Sequence, residues 1–190
     1  MKPVKMIFAT DENCVFGRTD NTLPFKCKAD MKHFKEYTKG HILVMGANTF
    51  KSLPKKLEGR VNVVYGSFSR GIIDIKTLSG EKPDLRINSD TVTVRDIPHC
   101  LENLSRAFDG DIIFIGGVNL LVEAFKAGII NEVSSTSIDG EHEGDISCDE
   151  LVDLITAQDI SKLKHVSMTF EDGCVIINYK YKGKSDEKFN

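Results

Sequence analysis

Several patterns that would assign a function class at once are absent from this sequence. The five cysteines among its 190 residues are scattered and form no Cys-x-x-Cys pair, so we expect free thiols in a reducing compartment. No apolar run approaches the length of a membrane span, and the N-terminus lacks the apolar run and cleavage site of a signal peptide. We therefore expect an intracellular protein with no membrane association.

A large excess of charge of one sign is also absent. The net charge of −3 argues against general nucleic-acid binding. The charges are nevertheless unevenly distributed, because residues 1–60 hold 12 Lys and Arg against 6 Asp and Glu, whereas residues 61–190 hold 13 against 22. A basic first third in an acidic protein predicts local attraction of small anionic molecules.

Short apolar runs alternate with amphipathic segments along the chain. Predicted strands at 4–10, 42–45, 61–65, 111–115 and 133–138 alternate with predicted helices, and two alternating strands joined at Asp172-Gly173 end the pattern. This order predicts an α/β fold: a central, mostly parallel sheet with an antiparallel C-terminal edge hairpin, flanked by helices. We expect one domain over residues 1–190, with a long excursion at 66–89 that has some strand or helix of its own, a β-prone stretch at 91–94 and a short polar tail at 183–190.

Asp30 is the first candidate functional residue. It lies in a predicted helix four residues before Phe34, so its carboxylate and the ring share one helix face. In one interpretation it is a solvated first-turn acid that interacts favourably with the helix dipole. In the other it lies in a pocket, where burial raises its pKa and a bound cation or hydrogen-bond donor needs it. The residue pattern leaves both interpretations open.

Two strand–glycine–helix junctions, at Gly46 and at Gly116-Gly117, are candidate phosphate sites. Free backbone N–H groups at a helix start can bind an anion, and two adjacent glycines allow close backbone approach. An ordinary strand-to-helix turn has the same pattern, and neither junction matches the Gly-x-Gly-x-x-Gly dinucleotide fingerprint. His142 and Glu143 lack a second ligand pair, so no metal site is expected.

An ordered set of short motifs runs through nearly the whole chain. It comprises a first strand ending near Ala9, then Phe16-Gly17, Leu23-Pro24, Ala29-Asp30 with Phe34, Val44-Met45-Gly46 with Thr49 and Ser52, Gly59-Arg60, Ile115-Gly116-Gly117, Thr136, Gly144-Asp145 and the final hairpin. Taken together and in order, these motifs resemble dihydrofolate reductase. The excursion and the Leu120-Leu121 pair are most similar to the enzymes of T-even bacteriophages.

The resemblance implies NADPH-dependent reduction of 7,8-dihydrofolate to 5,6,7,8-tetrahydrofolate, supporting one-carbon metabolism and nucleotide synthesis in the cytoplasm, or in the host cytoplasm of a phage. It implies that Asp30 is the ionisable group at the pterin and that Arg60 clamps the glutamate α-carboxylate. Residues 13–25 would form a mobile lid with Leu23 at its tip. The partners expected are dihydrofolate and a second copy of the chain in a homodimer.

The resemblance assigns further residues by role. Catalytic roles fall to Asp30, Leu23, Phe25 and Thr136. Substrate contacts fall to Ile7, Asp30, Phe34, Leu53, Leu57, Arg60, Ile115 and Thr136. Cofactor contacts fall to Ala9, Phe16, Gly17, Gly46, Ala47, Asn48, Thr49, Ser67, Arg70, Gly116, Gly117, Val118, Asn119 and Leu120.

Three departures from the family pattern bear on these roles. Phe25 stands where a Trp is usual, so an indole N–H is lost from the lid. Ala47-Asn48 replaces a basic pair expected near the 2′-phosphate of NADPH, and Arg70 is the candidate replacement. Glu58 stands where a Pro often precedes Gly-Arg, which puts a negative charge near Arg60.

Two alternatives remain beside the folate enzyme. One is the reductase of riboflavin biosynthesis, which has the same fold and cofactor. The other is a binding or structural protein that keeps the fold without turnover. The set of Asp30, Phe34, Arg60 and Thr136 favours folate, and intact Asp30 with Gly116-Gly117 argues against loss of activity.

Overall fold

The computed structural model describes residues 2–20, 22–68, 74–104, 110–158 and 160–182. The strands are β1 (Val4–Asp11), β2 (Val15–Gly17), β3 (Ile42–Gly46), β4 (Val61–Gly66), β5 (Leu85–Asn88), β6 (Ile112–Gly116), β7 (Glu132–Ile138), β8 (Ile146–Ser147), β9 (Leu163–Glu171) and β10 (Cys174–Tyr181). The helices are α1 (Lys28–Thr38), α2 (Ala47–Ser52), α3 (Ile97–Leu104), α4 (Val118–Lys126) and α5 (Asp149–Thr156), with short 3-10 turns at Val94–Asp96 and Ile160–Lys162.

Eight strands form the central sheet in the order β5-β4-β3-β6-β1-β7-β10-β9. The first six are parallel, and β10 and β9 are antiparallel to their neighbours. The interior strands β3 and β6 are almost wholly apolar and buried, because helices cover both faces of a parallel sheet. The predicted fold class is therefore confirmed.

The core lies in layers on the two faces of the sheet. On one face, α2 contributes Phe50 and α1 contributes Phe34 to a cluster around Leu43, Met45 and Ile113. On the other face, the larger cluster receives side chains from α3, α4 and α5. Among the described residues, no helix is long and apolar enough to cross a membrane.

The C-terminal hairpin forms where the sequence predicted it. β9 and β10 pair from Cys174 opposite Glu171 to Tyr181 opposite Leu163. Gly173 has φ +81°, a conformation that glycine adopts without steric strain, and this explains why Asp172-Gly173 turns the chain.

One local prediction was wrong. The β-prone stretch at 91–94 is not a strand, because residues 91 and 92 form a turn and Val94 begins a 3-10 turn. The edge strand is β5 instead, inside the predicted excursion, and it pairs in parallel with β4. The short ladder between β2 and β8 was not predicted at all. Residues 69–73 of the excursion and the tail at 183–190 lie outside the described residues.

The parallel arrangement brings distant parts of the chain to one edge of the sheet. β1, β3 and β6 are neighbours and run in the same direction, so their carboxyl ends at Asp11, Gly46 and Gly116 lie along that edge. Ligands of open parallel sheets bind at such edges.

The loop before β6 packs tightly on the loop before β3, which allows a test of the fold. A Cβ at Gly110 would overlap the carbonyl oxygen of Gly40 and lie 2.7 Å from Cα of His41. Gly110→Ala should therefore lower the free energy of unfolding by about 1–3 kcal/mol. Gly66→Ala is the matched control, because its nearest contact would be Phe68 Cζ at 4.0 Å. Urea unfolding of both variants decides it, and equal stability of the two would show that the loops adjust freely.

Candidate active site

The first turn of α1 holds Asp30. The residue before the helix, Cys27, accepts a hydrogen bond on Sγ from the backbone N–H of Asp30 over 3.5 Å. The carboxylate is half-buried, and this burial raises its pKa, whereas the Thr136 hydroxyl and the charge of His33 act in the opposite direction. Asp30 is therefore not a fully solvated first-turn acid.

Thr136 faces Asp30 from β7 and is fully buried. Its hydroxyl lies close enough to favour the charged carboxylate, although no hydrogen bond of ordinary geometry joins Oγ1 to any described residue. Buried hydroxyl groups normally have a partner. Asp30 and Thr136 together are therefore suited to a ligand that brings hydrogen-bond donors.

An apolar wall lies beside this polar pair. Phe34, Leu53, Leu57 and Ile115 are each half-buried and pack against the one core cluster that contains Ile7. Four side chains predicted from separate parts of the sequence thus meet over the same core. A mostly apolar wall with a few polar groups is the usual lining of a small-molecule site.

Arg60 supplies a cation near this wall. Its Nε is buried and makes no hydrogen bond within the described part of the chain. Desolvation lowers the pKa of Arg60 and Glu58 raises it, but the guanidinium remains charged at neutral pH. The Glu58 carboxylate forms a salt bridge with Lys55 at 2.6 Å. The negative charge noted in the sequence is therefore paired with Lys55 and not with Arg60. Arg60 is therefore able to bind an anionic group of a ligand.

The two predicted strand–glycine–helix junctions meet at neighbouring strand ends. Gly116 has φ +140°, and a Cβ there would lie 3.3 Å from Thr49 Oγ1 and 3.7 Å from Phe16 Cζ. A Cβ at Gly46 would lie 3.5 Å from the backbone nitrogen of Gly117. The peptide bond between Gly116 and Gly117 is cis. Glycine at these positions leaves room that a side chain would fill.

The other predicted cofactor residues differ in what they can offer. Ala47, the first residue of α2, packs on one core cluster, and Val118 and Leu120 pack on the opposite one, so these three offer their backbone. Asn48 and Asn119 are exposed, whereas Ala9 packs against the cluster of Phe25 and Cys27. The Ser67 hydroxyl donates to Asp90 over 2.9 Å. Arg70 lies outside the described residues, so its role stays a prediction.

The predicted lid at 13–25 is held to the loop that precedes β8. Thr19 donates from its backbone and hydroxyl to Asp145 over 2.7 and 2.5 Å, and Arg18 Nε donates to the Glu143 carbonyl over 2.9 Å. Leu23 is 68% exposed, whereas Phe25 is buried. Gly17, in β2, pairs with Ile146. Leu23 and Phe25 therefore occupy different environments.

Comparisons with known proteins bear on this arrangement. A family model described as dihydrofolate reductase matches residues 3–168. The chain belongs to the dihydrofolate reductase family. The dihydrofolate reductase of Bacillus subtilis strain 168 is 30% identical over 144 residues, which cover 75% of this chain and 73% of that protein. The type 8 dihydrofolate reductase of Escherichia coli is 30% identical over 148 residues, 76% of this chain and 78% of that protein.

A solved structure has the same fold. The dihydrofolate reductase of Enterococcus faecalis, complexed with NADP(H) and RAB-propyl, superposes with a TM-score of 0.68 at 21% identity, over 95% of this chain and 97% of that one. The match to the dihydrofolate reductase family favours the folate enzyme over the riboflavin-pathway reductase.

Sequence reasoning missed one central residue of this dihydrofolate reductase fold, Asp11. Its side chain is almost fully buried and accepts hydrogen bonds from the backbone N–H groups of Asn13, Val15 and His142 over 2.9, 2.9 and 2.7 Å. The His142 ring in turn contacts Phe25 edge-on, with centroids 5.6 Å apart. Asp11 thus joins the end of β1 to the lid and to a loop about 130 residues away, a contact that no local pattern reveals.

Replacing Asp11 tests this junction. Burial alone would raise the pKa of Asp11, but the hydrogen bonds from Val15, His142 and Asn13 outweigh it and lower the pKa. An amide cannot accept all three bonds, so Asp11→Asn should lower the free energy of unfolding by about 1.5–3 kcal/mol at neutral pH. The parent holds this stability above the unfolded pKa of about 3.9 and loses it as pH falls through the lowered native pKa.

The measurement is urea unfolding of parent and variant between neutral pH and acid. The stability gap should narrow below about pH 4. Glu141→Gln, an exposed carboxylate in the same loop, is the control and should change stability little. If the difference in stability between parent and Asp11→Asn stayed constant into acid, the charge of Asp11 would not be the source of its stabilising effect.

Proposed function

We propose that this protein reduces 7,8-dihydrofolate to 5,6,7,8-tetrahydrofolate with NADPH. The observation that carries the proposal is the half-buried Asp30 carboxylate beside Thr136, in a member of this family. A carboxylate with a raised pKa in a half-apolar site is suited to a ligand edge that donates hydrogen bonds. The pterin 2-amino group and N3 form such an edge.

The wall and Arg60 account for the rest of the substrate. Phe34, Leu53 and Leu57 offer an apolar surface to the pterin and benzoyl rings. Arg60 is suited to a bidentate clamp on the α-carboxylate of the glutamate. Lys55 and Lys56 are less available, because they pair with Glu58 and Asp84 at 2.6 Å each. The backbone carbonyls of Ile7 and Ile115 complete the proposed pocket.

The glycine junctions fit a dinucleotide. Gly46, Thr49, Gly116 and Gly117 leave a space at the strand ends, and the first turn of α4 has backbone N–H groups that no side-chain cap binds. NADPH, when bound, supplies the hydride that reduces C6 of dihydrofolate. Ser67 and Arg70 are the proposed contacts for its 2′-phosphate, since Ala47 and Asn48 carry no charge.

Asp30 and solvent have different roles in the proposed proton transfer. Asp30 lies at the far end of the pterin from N5 by family geometry, so it polarises the ring while a water carries the proton to N5. The lid at 13–25 excludes other water and orients the reacting groups. The contacts of Thr19 and Arg18 with the loop before β8 support a lid that opens and closes against that loop.

The biological setting follows from the reaction and stays a prediction. Tetrahydrofolate supports one-carbon metabolism and nucleotide synthesis, which places the protein in the cytoplasm. We likewise propose a closer likeness to T-even bacteriophage enzymes, a homodimer, no nucleic-acid or membrane partner, and a single domain over 1–190. A binding or structural protein without turnover is the second candidate, and the assay below separates the two.

Replacing Asp30 tests the reaction. The absorbance of NADPH should fall when dihydrofolate is added to the protein, and an antifolate should block this fall. Asp30→Asn should lower turnover at neutral pH by on the order of a hundred- to ten-thousandfold, because the polarising carboxylate is lost. Acid should partly rescue the variant, since protonated substrate bypasses that loss.

Glu36→Gln is the control, because it removes an exposed carboxylate from the same helix and should retain turnover. No turnover by the parent, or full turnover by Asp30→Asn, would overturn the proposal.

Replacing Arg60 tests substrate binding. Arg60→Lys should raise KM for dihydrofolate by about ten- to a hundredfold with a smaller change in kcat, because a point charge does not replace a bidentate clamp. Lys51→Ala removes an exposed cation from α2 and should leave KM nearly unchanged. An unchanged KM in Arg60→Lys would move the glutamate site to another cation.

A further inference from the structure

A second side-chain contact joins α1 to β7 one turn beyond Asp30. His33 follows Asp30 by three residues, so the two lie on adjacent positions of one helix face. Ser134 precedes Thr136 by two residues, so both point to the same face of the sheet. His33 Nε2 and Ser134 Oγ are 2.8 Å apart. Asp30 and Thr136 lie close to each other on the same helix and strand, and His33 and Ser134 join the two elements by a hydrogen bond.

The surroundings of His33 restrict its ring. Ser134 is fully buried, and breaking its hydrogen bond to His33 would leave a buried hydroxyl without that partner. The loss of this hydrogen bond is therefore unfavourable. On its other side the imidazole contacts the ring of Tyr37, with centroids 5.5 Å apart and planes inclined by 46°. The imidazole is therefore held by a hydrogen bond and by an aromatic neighbour, not extended into solvent.

We propose that His33 is a positioning residue for Asp30. His33 fixes the first turns of α1 on β7 through Ser134, and its protonation in acid helps to keep the Asp30 carboxylate charged. The proposal rests on the proposed function for its effect on turnover. Its effect on the ionisation of Asp30 does not depend on the proposed function.

The charges around the two groups give the direction of the effect. Burial lowers the pKa of His33, while Asp30 and Glu36 raise it, so His33 is neutral at neutral pH. In acid the imidazolium favours the ionised carboxylate and lowers the pKa of Asp30. Each of the two groups therefore shifts the ionisation of the other. The other titratable groups that line the clefts beside His33 are Lys32, Glu36 and Tyr37 on α1, Glu132 on β7, His165 and Glu171 on β9, and Tyr179 and Lys180 on β10.

Three variants separate the hydrogen bond from the charge. His33→Phe removes both. His33→Gln places an amide near the position of Nε2, so it keeps a bond to Ser134 without a group that titrates. Ser134→Ala keeps the imidazole and removes its partner.

The first measurement is the ionisation of Asp30 in the protein alone. The carboxyl carbon of Asp30 is followed by NMR against pH in protein labelled with ¹³C-aspartate, and Asp30→Asn assigns the signal. Asp30 should titrate at a higher pH in His33→Phe and in His33→Gln than in the parent, because the imidazolium is gone. Its midpoint should move less in Ser134→Ala. Equal midpoints in all four proteins would overturn the electrostatic part of the proposal.

The second measurement is kcat/KM for dihydrofolate. His33→Phe and Ser134→Ala should lower kcat/KM by roughly three- to tenfold at neutral pH, whereas His33→Gln should retain most of it. Equal losses in His33→Gln and His33→Phe would overturn the positioning role. Thermal unfolding confirms that each variant is folded, and Ser134→Ala still tests the bond if His33→Phe does not fold. Because the NMR titration needs neither substrate nor cofactor, a protein without reductase activity would fail only the second measurement.

Discussion

The free energy of burying one carboxylate, that of Asp30, constrains the rest of the site. A charge held against an apolar wall is unfavourable unless other groups compensate it. Here the compensation is partial: the first turn of α1 places Asp30 where the helix dipole favours a negative charge, and Thr136 and His33 favour the ionised form. Burial still raises the pKa of Asp30. A ligand that donates hydrogen bonds to the carboxylate would offset the remaining cost of its burial.

The parallel sheet is what brings the remaining groups to that carboxylate. β7 presents Thr136 and Ser134 to α1, while β3 and β6 end side by side at Gly46 and Gly116. These strands are parallel, so their carboxyl ends share an edge regardless of their distance in sequence. A side chain at Gly116 would approach Thr49, and the glycine thus keeps open the space beside the start of α4. The proposed substrate and cofactor sites both depend on this strand order.

Local patterns in the sequence predicted the parts of the site that local geometry determines. Helical spacing placed Asp30 and Phe34 on one face, and strand–glycine–helix order located both junctions. The charge of Glu58 could not be interpreted so simply, because its effect on Arg60 depends on the side chain of Lys55, which captures it. The β-propensity of residues 91–94 predicted a strand where the chain turns, since pairing with β4 is decided by tertiary structure and falls to β5. Asp11 was missed because its partner His142 is distant in sequence.

The contacts around Phe25 connect the proposed lid to the helix of Asp30, although Phe25 stands where the family resemblance leads us to expect a Trp. Phe25 cannot donate a hydrogen bond to water, yet it is buried in the cluster that contains Cys27, the residue that caps the helix of Asp30. It also contacts the His142 ring, and the backbone of His142 donates to Asp11, which holds the start of the lid. Apolar packing and one buried carboxylate thus connect the lid to α1. Packed side chains resist small displacements, because protein interiors have the density of a crystal. Because Phe25 and Cys27 belong to one packed cluster, the proposed lid and the cap of α1 are in one connected part of the core.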